Sequence, residues 1–234
     1  MLTKIEMPFN PGPVLLLGAP GVGKGTQAKL LMAEFAIPQI STGDLLRRNR
    51  RDHTALGVLA DELMQRGELV PDDLVNKMVA ERLALPDCER GYILDGFPRT
   101  LAQAAWLDQY LADSGTKLPV VAVSIEVGYN DLLKRITGRR ISPAGRIYNI
   151  YTQAPLVAGV CDVDGSALEQ RNDDTEIVFE QRMKTFHEQT TPVVAHYRAV
   201  GRFEEVDGTG SVNAVTDAIR AALIRLRGRA SREA

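Results

Sequence analysis

Short, almost uniformly apolar runs alternate with longer amphipathic segments along this chain, and that alternation restricts its fold more than any other feature. The runs are too short and too evenly apolar for strands with one exposed face, so they predict strands buried on both faces of a parallel sheet. The predicted strands are 14–17, 38–40, 92–95, 120–125 and 203–206. The segments between them place apolar residues at helical spacing, as at Ala28, Leu31, Met32 and Phe35 and again at Val215, Ile219, Ala222 and Leu226. We therefore predict a three-layer α/β fold with a five-stranded parallel sheet.

Two segments interrupt the alternation. Residues 41–70 contain two helical stretches with no strand between them, and residues 139–174 are rich in Gly, Pro and Asp without helical periodicity. Pro71 with Asp72 and Asp73 predicts the start of a helix that returns to the core. We predict a core formed by residues 1–40, 71–138 and 175–234, with 41–70 and 139–174 as insertions, the second a small subdomain or lid. The tail after Leu226, which contains Arg227, Arg229 and Arg232, is expected to be frayed and solvated.

Composition and charge exclude several classes of protein. The 234 residues are 44% hydrophobic and 25% charged, which argues against disorder. The formal net charge of −2 offers no bulk attraction to nucleic acid or to an anionic membrane, so any anion site must be local. Cys88 and Cys161 are too few for a disulfide framework and favour a reducing, cytoplasmic compartment. No apolar run is long enough to cross a bilayer, and the stretch around Lys4 does not have the pattern of a signal peptide.

A glycine-rich loop follows the first predicted strand and precedes an amphipathic helix. Residues Gly18 to Thr26 read GAPGVGKGT and contain the spacing G-x-x-x-x-G-K of a phosphate-binding loop. Backbone N–H groups of such a loop surround phosphate oxygens, the helix N-terminus adds positive potential, and Lys24 reaches the outer phosphates. Gly25 stands where Ser or Thr usually follows the lysine, which displaces the hydroxyl that meets magnesium to Thr26. The core is therefore predicted to be of the P-loop NTPase type.

A second motif, DGFPR at Asp95 to Arg99, follows another predicted strand. An acid at the carboxyl end of a buried strand lies where α/β proteins bind ligands, and Asp95 can hold magnesium through water or merely cap the next turn. Gly96 and Pro98 turn the chain sharply and would aim Arg99 over the sheet edge. Gln103 has two interpretations: it completes a capping box with Thr100, or its amide reads the edge of a base.

With these residues in hand, the sequence closely resembles the adenylate kinase family, whose members carry GxPGxGKGTQ, STGDxLR and DGFPR. Here the motifs stand at 18–27, 41–47 and 95–99, and the resemblance runs from about residue 14 to residue 226. It implies a helical AMP-binding insertion at 41–70, an ATP-covering lid at 139–174, magnesium as cofactor, and a monomer with no obligate protein partner. It also implies the site residues. ATP would be bound by Gly21, Val22, Gly23, Lys24, Gly25, Thr26, Arg135, Arg139, Ile147, Tyr148 and Gly210. AMP would be bound by Thr42, Arg47, Glu68, Leu69, Val70, Gly96, Phe97, Pro98, Arg99, Gln103, Arg171 and Arg182. The groups implied in catalysis are Lys24, Arg99, Arg139, Arg171 and Arg182, with magnesium held through water near Asp95 and Thr26.

The lid departs from the metal-binding pattern of many relatives. Those proteins hold structural zinc with two cysteine pairs, or with one pair and a C-x-x-D, whereas this chain keeps only Cys161 and Asp164. Tetrahedral zinc needs four ligands, so we expect no structural zinc. A polar network through Ser142, Asp162 and Asp164 is an alternative. Asn149 stands where a lid histidine is common, so stacking on the adenine is expected to be either weaker or replaced by a hydrogen bond.

The resemblance implies reversible transfer of a phosphoryl group from ATP to AMP, giving two ADP and serving adenine nucleotide homeostasis and purine salvage. The acceptor is already ionised, and the three histidines His53, His187 and His196 lie outside every motif, so charge neutralisation and positioning would carry catalysis. A UMP/CMP kinase shares the motifs but has a short lid. A non-catalytic adenylate sensor would not need the arginine set, and an RNA-associated ATPase would need a basic face.

Overall fold

A computed structural model describes residues 9–116 and 118–233, with side chains to residue 229 at the C-terminus. The first eight residues, including Lys4 and the start of the predicted core segment 1–40, lie outside the described part of the chain, as do Lys117 and Ala234. The elements of the described chain follow in order: β1 (Gly12–Leu17), α1 (Lys24–Phe35), β2 (Gln39–Ser41), α2 (Thr42–Arg51), α3 (Ala55–Gln65), α4 (Asp72–Leu83), β3 (Gly91–Asp95), α5 (Leu101–Asp113), β4 (Val121–Glu126), α6 (Tyr129–Thr137), β5 (Arg139–Ile141), β6 (Ile147–Asn149), α7 (Glu176–Thr185), α8 (Thr191–Ala199), β7 (Phe203–Asp207) and α9 (Val212–Glu233).

The core is a five-stranded parallel sheet in the order β2-β3-β1-β4-β7. Apolar side chains cover both of its faces, one cluster centred on α1, α7 and α9 and the other on α4, α5 and α8. From β1 the chain passes through α1 to β2 at one edge, whereas β3 leads through α5, on the opposite face, to β4 on the other side of β1. The strand order thus reverses beside β1, and a crevice opens at its carboxyl end, where sheets of this kind bind ligands. The predicted α/β fold class with its five strands is confirmed.

Burial of the strands agrees with the prediction at the centre of the sheet and not at its edges. All six residues of β1 are buried, as are the first four of β3 and the first five of β4. In β7 only Val206 is buried, and in β2 only Ile40. An edge strand has one neighbour instead of two, so the expectation that all five strands are buried on both faces was wrong for β2 and β7.

The two insertions differ in kind. Residues 41–70 form the helices α2 and α3, which pack against each other with Gly57 in direct contact with the backbone at Asn49. Residues 139–174 contain the antiparallel hairpin β5–β6, in which Arg140 pairs with Tyr148. The sequence predicted no regular structure there, because the hairpin strands are short, charged and only partly buried.

The C-terminal helix contradicts the expected frayed tail. Helix α9 continues to Glu233, and Arg227 is only 5% exposed. Its guanidinium donates hydrogen bonds to the carbonyl oxygens of Pro11 and Pro13, each at 2.7 Å, and to that of Pro119. These carbonyls lie at the amino ends of β1 and β4, so Arg227 fastens α9 beneath the sheet. No helix in the described ranges is long and apolar enough to span a membrane.

Candidate functional site

The glycine-rich loop between β1 and α1 is shaped by backbone conformations that only glycine adopts easily. Gly18 has φ +128°, and a Cβ there would lie 2.5 Å from the carbonyl oxygen of Ile125. Gly23 has φ +101° and precedes α1 without a capping side chain. The first N–H groups of α1 therefore face the crevice without a side-chain partner from the N-cap residue, which leaves the helix N-terminus available to an anion.

Lys24 is folded back over this loop. Its Nζ donates to the carbonyl oxygens of Gly18 at 2.7 Å and Ala19 at 3.1 Å. Burial lowers the pKa of Lys24 to about 8, although Asp95 opposes that shift. The ammonium is thus poorly compensated in the absence of a ligand, as expected for a group that meets phosphate oxygens.

Asp95 ends β3 beside the same loop. A Cβ on Gly25 would lie 3.4 Å from its Oδ2, and Gln39 donates from Nε2 to that oxygen at 3.1 Å. Burial raises the pKa of the Asp95 carboxyl. Asp95 and Thr26 line one cavity and offer carboxylate and hydroxyl oxygen, the hard ligands that magnesium accepts beside its waters. The residues present therefore fit a water-bridged magnesium ion.

A cavity of about 820 Å³ opens above the loop. Among the described residues that line it, cationic side chains outnumber carboxylates eight to two. The cations are Lys24, Lys29, Arg47, Arg99, Arg135, Arg139, Arg171 and Arg182, and the acids are Asp44 and Asp95. In a chain with a formal charge of −2, this excess marks a local site for a highly charged anion.

Three of the arginines are held by aspartates. Arg139 donates from Nε to Asp174 Oδ2 at 2.7 Å, and Arg182 donates from Nη1 to Asp173 Oδ2 at 3.1 Å. Arg47 donates from Nε to Asp44 Oδ1 at 3.2 Å. Because each carboxylate fixes a guanidinium at the cavity wall, the arginines are positioned before any ligand arrives.

Arg99 and Arg171 have no carboxylate partner among the described residues. Arg99 donates from Nε to the carbonyl oxygen of Gly96 at 2.8 Å. Burial, and next the charge of Arg182, lowers the pKa of Arg99 to about 10. Burial and the charge of Arg139 lower that of Arg171 to about 10. Arginines crowded in this way repel one another, and an anion between them relieves the repulsion.

A smaller cavity shares several lining residues with the first and is lined mainly by the insertion 41–70 and the turn after β3. Its lining includes Thr42, Arg47, Glu68, Leu69, Val70, Gly96, Arg99, Gln103 and Arg182. Thr42 donates from Oγ1 to the carbonyl oxygen of Gly96 at 2.8 Å, which joins α2 to the turn after β3. Phe97 and Pro98 line the larger cavity at that turn. The structure thus brings the residues predicted for AMP together around these two connected spaces.

The other residues predicted for ATP also line the large cavity. Arg135 donates to the carbonyl oxygens of Val22 at 3.2 Å and Gly208 at 2.9 Å, which links the phosphate loop to the turn after β7. Ile147, Tyr148 and Gly210 also line the space. The hydroxyl of Tyr148 points elsewhere, since it accepts a hydrogen bond from the N–H of Asp162 inside the lid.

The side chain of Asn149 forms hydrogen bonds with the protein backbone. Its Nδ2 donates to the carbonyl oxygen of Arg135 at 3.1 Å and its Oδ1 accepts from the N–H of Tyr151 at 2.9 Å. The side chain therefore caps the end of α6 where the lid begins, and each of its polar atoms already has a partner within the protein.

In the lid, the expected network through Ser142, Asp162 and Asp164 is divided. Arg146 donates from its backbone N–H to Ser142 Oγ at 3.1 Å and from Nη1 to Asp164 Oδ2, whereas Asp162 accepts from the N–H of Leu156. Cys161 is buried against the hydroxyl of Tyr148. No group of three or more metal-ligating side chains occurs within residues 9–116 and 118–233, and the expectation of a zinc-free lid stays a prediction.

Sequence reasoning missed the carboxylates that hold the arginines, Asp44, Asp173 and Asp174, and the cross-link made by Arg146. Asp173 and Asp174 follow Arg171 closely, and this cluster of opposite charges was the available signal. Nothing in the spacing indicated that Asp174 pairs with Arg139, because 35 residues separate the two.

A parallel sheet with a phosphate loop after its central strand, together with a ring of arginines around the crevice, defines a P-loop protein built to transfer phosphoryl groups between nucleotides. A sequence profile described as adenylate kinase matches residues 16–202. The adenylate kinase of Citrifermentans bemidjiense is 48% identical over 211 residues, which are 90% of this chain and 98% of that protein. The adenylate kinase of Thermoanaerobacter sp. strain X514 is 47% identical over 90% of this chain and 97% of that protein, and that of Methanocella arvoryzae is 43% identical over 91% and 98%. The chain belongs to the adenylate kinase family of phosphotransferases, which confirms the resemblance noted from the motifs.

Proposed function

We propose that this chain catalyses the reversible, magnesium-dependent transfer of the γ-phosphoryl group of ATP to AMP, giving two ADP. The observation that carries the proposal is the convergence of Lys24, Arg99, Arg139, Arg171 and Arg182 on one cavity above the phosphate loop. Two nucleotides bring several phosphate groups to that space, and the cationic lining matches that charge.

The two connected cavities support a division between donor and acceptor. ATP would occupy the large cavity, its phosphates on the N–H groups of Gly21 to Thr26 and its base between Arg135, Ile147, Tyr148 and Gly210. AMP would occupy the space lined by Thr42, Arg47, the segment 68–70, the turn 96–99 and Gln103. Arg171 and Arg182 would contact the phosphate that passes between them.

The residues present suit a reaction that needs no general base. The attacking oxygen belongs to an AMP phosphate that is ionised at neutral pH, and no histidine lines either cavity among the described residues. The transition state spreads negative charge over the transferred group, and the fixed cations stabilise that charge more than they stabilise the reactants. Magnesium, when held near Asp95 and Thr26, would supply further neutralisation of the phosphates.

The lid gives a physical reason why water does not take the phosphoryl group. Gly145 of the lid accepts a hydrogen bond from Lys29 at 3.3 Å, so the lid contacts the helix α1 that follows the phosphate loop. Arg139 and Arg171 stand near its two ends and would reach the phosphates when it closes. Distances between labels at Leu156→Cys and Val58→Cys should shorten with a bisubstrate inhibitor, and unchanged distances would contradict closure.

The test of function is steady-state turnover with Mg-ATP and each of AMP, CMP, UMP and GMP, beside a Lys24→Ala variant. Rapid conversion of AMP alone, lost in the variant, is the expected result. Preference for CMP or UMP would favour a pyrimidine nucleotide kinase, and binding without turnover would favour an adenylate sensor.

We also infer a role in adenine nucleotide homeostasis and purine salvage, which follows from the proposed reaction. We propose the cytoplasm as the compartment, because Cys88 and Cys161 are both free thiols. The proposal further includes a monomer that has no nucleic acid, membrane or obligate protein partner.

A further inference from the structure

The amide of Gln103 is held in one orientation by two independent partners. Its Oε1 accepts the backbone N–H of Arg99 at 2.7 Å, and its Nε2 donates to Asp72 Oδ1 at 2.7 Å. A peptide N–H can only donate and a carboxylate can only accept, so turning the amide over would oppose like groups at both contacts. Gln103 is 2% exposed, and no solvent is at hand to compensate such a mismatch.

Asp72 is fixed in turn by the neighbouring helix. It is the first residue of α4, and its Oδ2 accepts from the hydroxyl of Thr100 at 2.7 Å. Thr100 caps α5 and accepts the N–H of Gln103 at 3.1 Å. The side chain of Gln103 does not complete the expected capping box, because its oxygen meets the N–H of Arg99, one residue earlier than that motif requires.

One N–H and one oxygen lone pair of the Gln103 amide remain for a ligand in the smaller cavity, which Gln103 lines and Asp72 does not. Adenine presents an acceptor at N1 beside a donor at its 6-amino group. Hypoxanthine and guanine present the reverse order, a donor at N1 beside an acceptor at O6. An amide free to turn would match both patterns, and a fixed amide matches one.

We propose that Asp72 is a positioning residue that sets the choice of 6-aminopurine over 6-oxopurine acceptors by fixing the orientation of the Gln103 amide. This inference rests on the proposed function, since it takes Gln103 as the group that reads the acceptor base. Asp72 acts without touching the substrate.

The experiment compares AMP with IMP, two acceptors of nearly the same size that differ in the pattern at N1 and the 6 position. In Asp72→Asn the new amide can satisfy its contact with Gln103 in either orientation while still bonding Thr100, so the packing is kept and one of the two restrictions is removed. Only the N–H of Arg99 then still opposes a turned Gln103 amide. The ratio of kcat/KM for AMP to that for IMP should fall by about tenfold, the size expected for one mismatched buried hydrogen bond. The matched control is Asp73→Asn, which removes the same charge from the same helical turn at an exposed residue and should leave the ratio within about twofold of wild type.

Three outcomes distinguish a failure of the positioning role of Asp72 from a failure of the proposed function on which it rests. Gln103→Leu should abolish most of the AMP preference; if it does not, Gln103 does not read the base and the proposed site assignment fails. If Gln103→Leu abolishes the preference for AMP while Asp72→Asn preserves it, the positioning role of Asp72 is overturned, and Gln103 remains the group that reads the acceptor base. General destabilisation by Asp72→Asn would lower the activities with AMP and IMP together. The affinities of the variant for AMP and IMP, measured by calorimetry, test the same preference without turnover. An unchanged ratio of these affinities overturns the positioning role of Asp72 even in an inactive variant.

Discussion

Arg139 and Asp174 join the two ends of the lid, with Nε of the arginine 2.7 Å from Oδ2 of a fully buried carboxylate. Arg139 begins the hairpin strand β5, and Asp174 lies just before the residue that caps α7. The ion pair thus holds the two ends of the lid together where they meet the core, while orienting a guanidinium toward the phosphate cavity. On the proposed function, the same contact would serve both stability and catalysis.

Asp174→Asn should destabilise the ligand-free protein strongly, because it leaves Arg139 without its buried counter-charge. Removal of one partner of a buried pair typically costs about 3 kcal/mol or more. Urea unfolding at pH 7 measures the loss. The control Asp217→Asn breaks an ion pair with Arg220 whose aspartate is 68% exposed, and should change the free energy of unfolding by about 0.5 kcal/mol or less. Equal losses in the two variants would show that the Arg139 pair contributes nothing special.

Lys24→Met should raise stability at pH 7 while abolishing activity. The pKa of Lys24 is lowered from 10.5 to about 8, so the folded protein holds this proton less tightly than the unfolded chain does. The charged form therefore costs stability below about pH 8, and the cost disappears as the pH rises through 8 toward 10.5. We expect a gain of about 1 to 3 kcal/mol at pH 7 that shrinks by pH 10. Thermal unfolding of both proteins from pH 7 to pH 10 gives the difference, and a gain independent of pH would contradict the explanation.

Arg171→Met should lower kcat by about 100-fold, since it removes a cation that has no carboxylate partner in the described part of the chain and would be available to the transferring phosphate. Arg171→Lys keeps the charge but loses the planar fork, and should recover only part of the rate. Arg48→Met serves as the control, because Arg48 is 73% exposed on α2 and lines neither cavity. Loss of rate in Arg48→Met as large as in Arg171→Met would indicate a nonspecific charge effect.

Zinc and chelators should leave the melting temperature of the lid unchanged, because Arg146 bonds to both Ser142 and Asp164 where a metal would otherwise cross-link the chain. Arg146→Met should then make residues 139–174 more susceptible to limited proteolysis. Arg51→Met, at an exposed residue of α2, is the matched control. A shift in melting temperature on adding EDTA would instead reveal a bound metal.

The sheet could be predicted from the sequence because each central strand is a mostly apolar run next to turn residues, as at Val14–Leu17 before Gly18. The phosphate loop and the DGFPR turn could be predicted because their glycines adopt backbone conformations with positive φ that other residues rarely adopt. The hairpin β5–β6 was not, since its residues are mostly charged or polar and its pairing depends on contacts across the lid.

The arginines show the same difference between features that the local sequence predicts and features that only the fold determines. The role of an arginine within a motif, such as Arg99, can be predicted from the sequence. The hydrogen-bond partner of each guanidinium depends on contacts in the fold that no sequence spacing indicates. Arg227 shows this most clearly: three arginines near the end of an amphipathic helix predict a solvated tail, and only the fold brings one of them beneath proline carbonyls more than a hundred residues away.

The attachment of Arg227 to Pro11, Pro13 and Pro119 makes the two ends of the sheet unequal. The amino ends of β1 and β4 are tied to α9, whereas their carboxyl ends open into the phosphate loop and the lid. Amide hydrogen exchange should therefore be slowest near Val14 and Val121 and quicken along each strand toward Leu17 and Glu126. Local opening of the sheet is thus expected mainly at the carboxyl ends of its central strands, the edge where nucleotides would enter and leave.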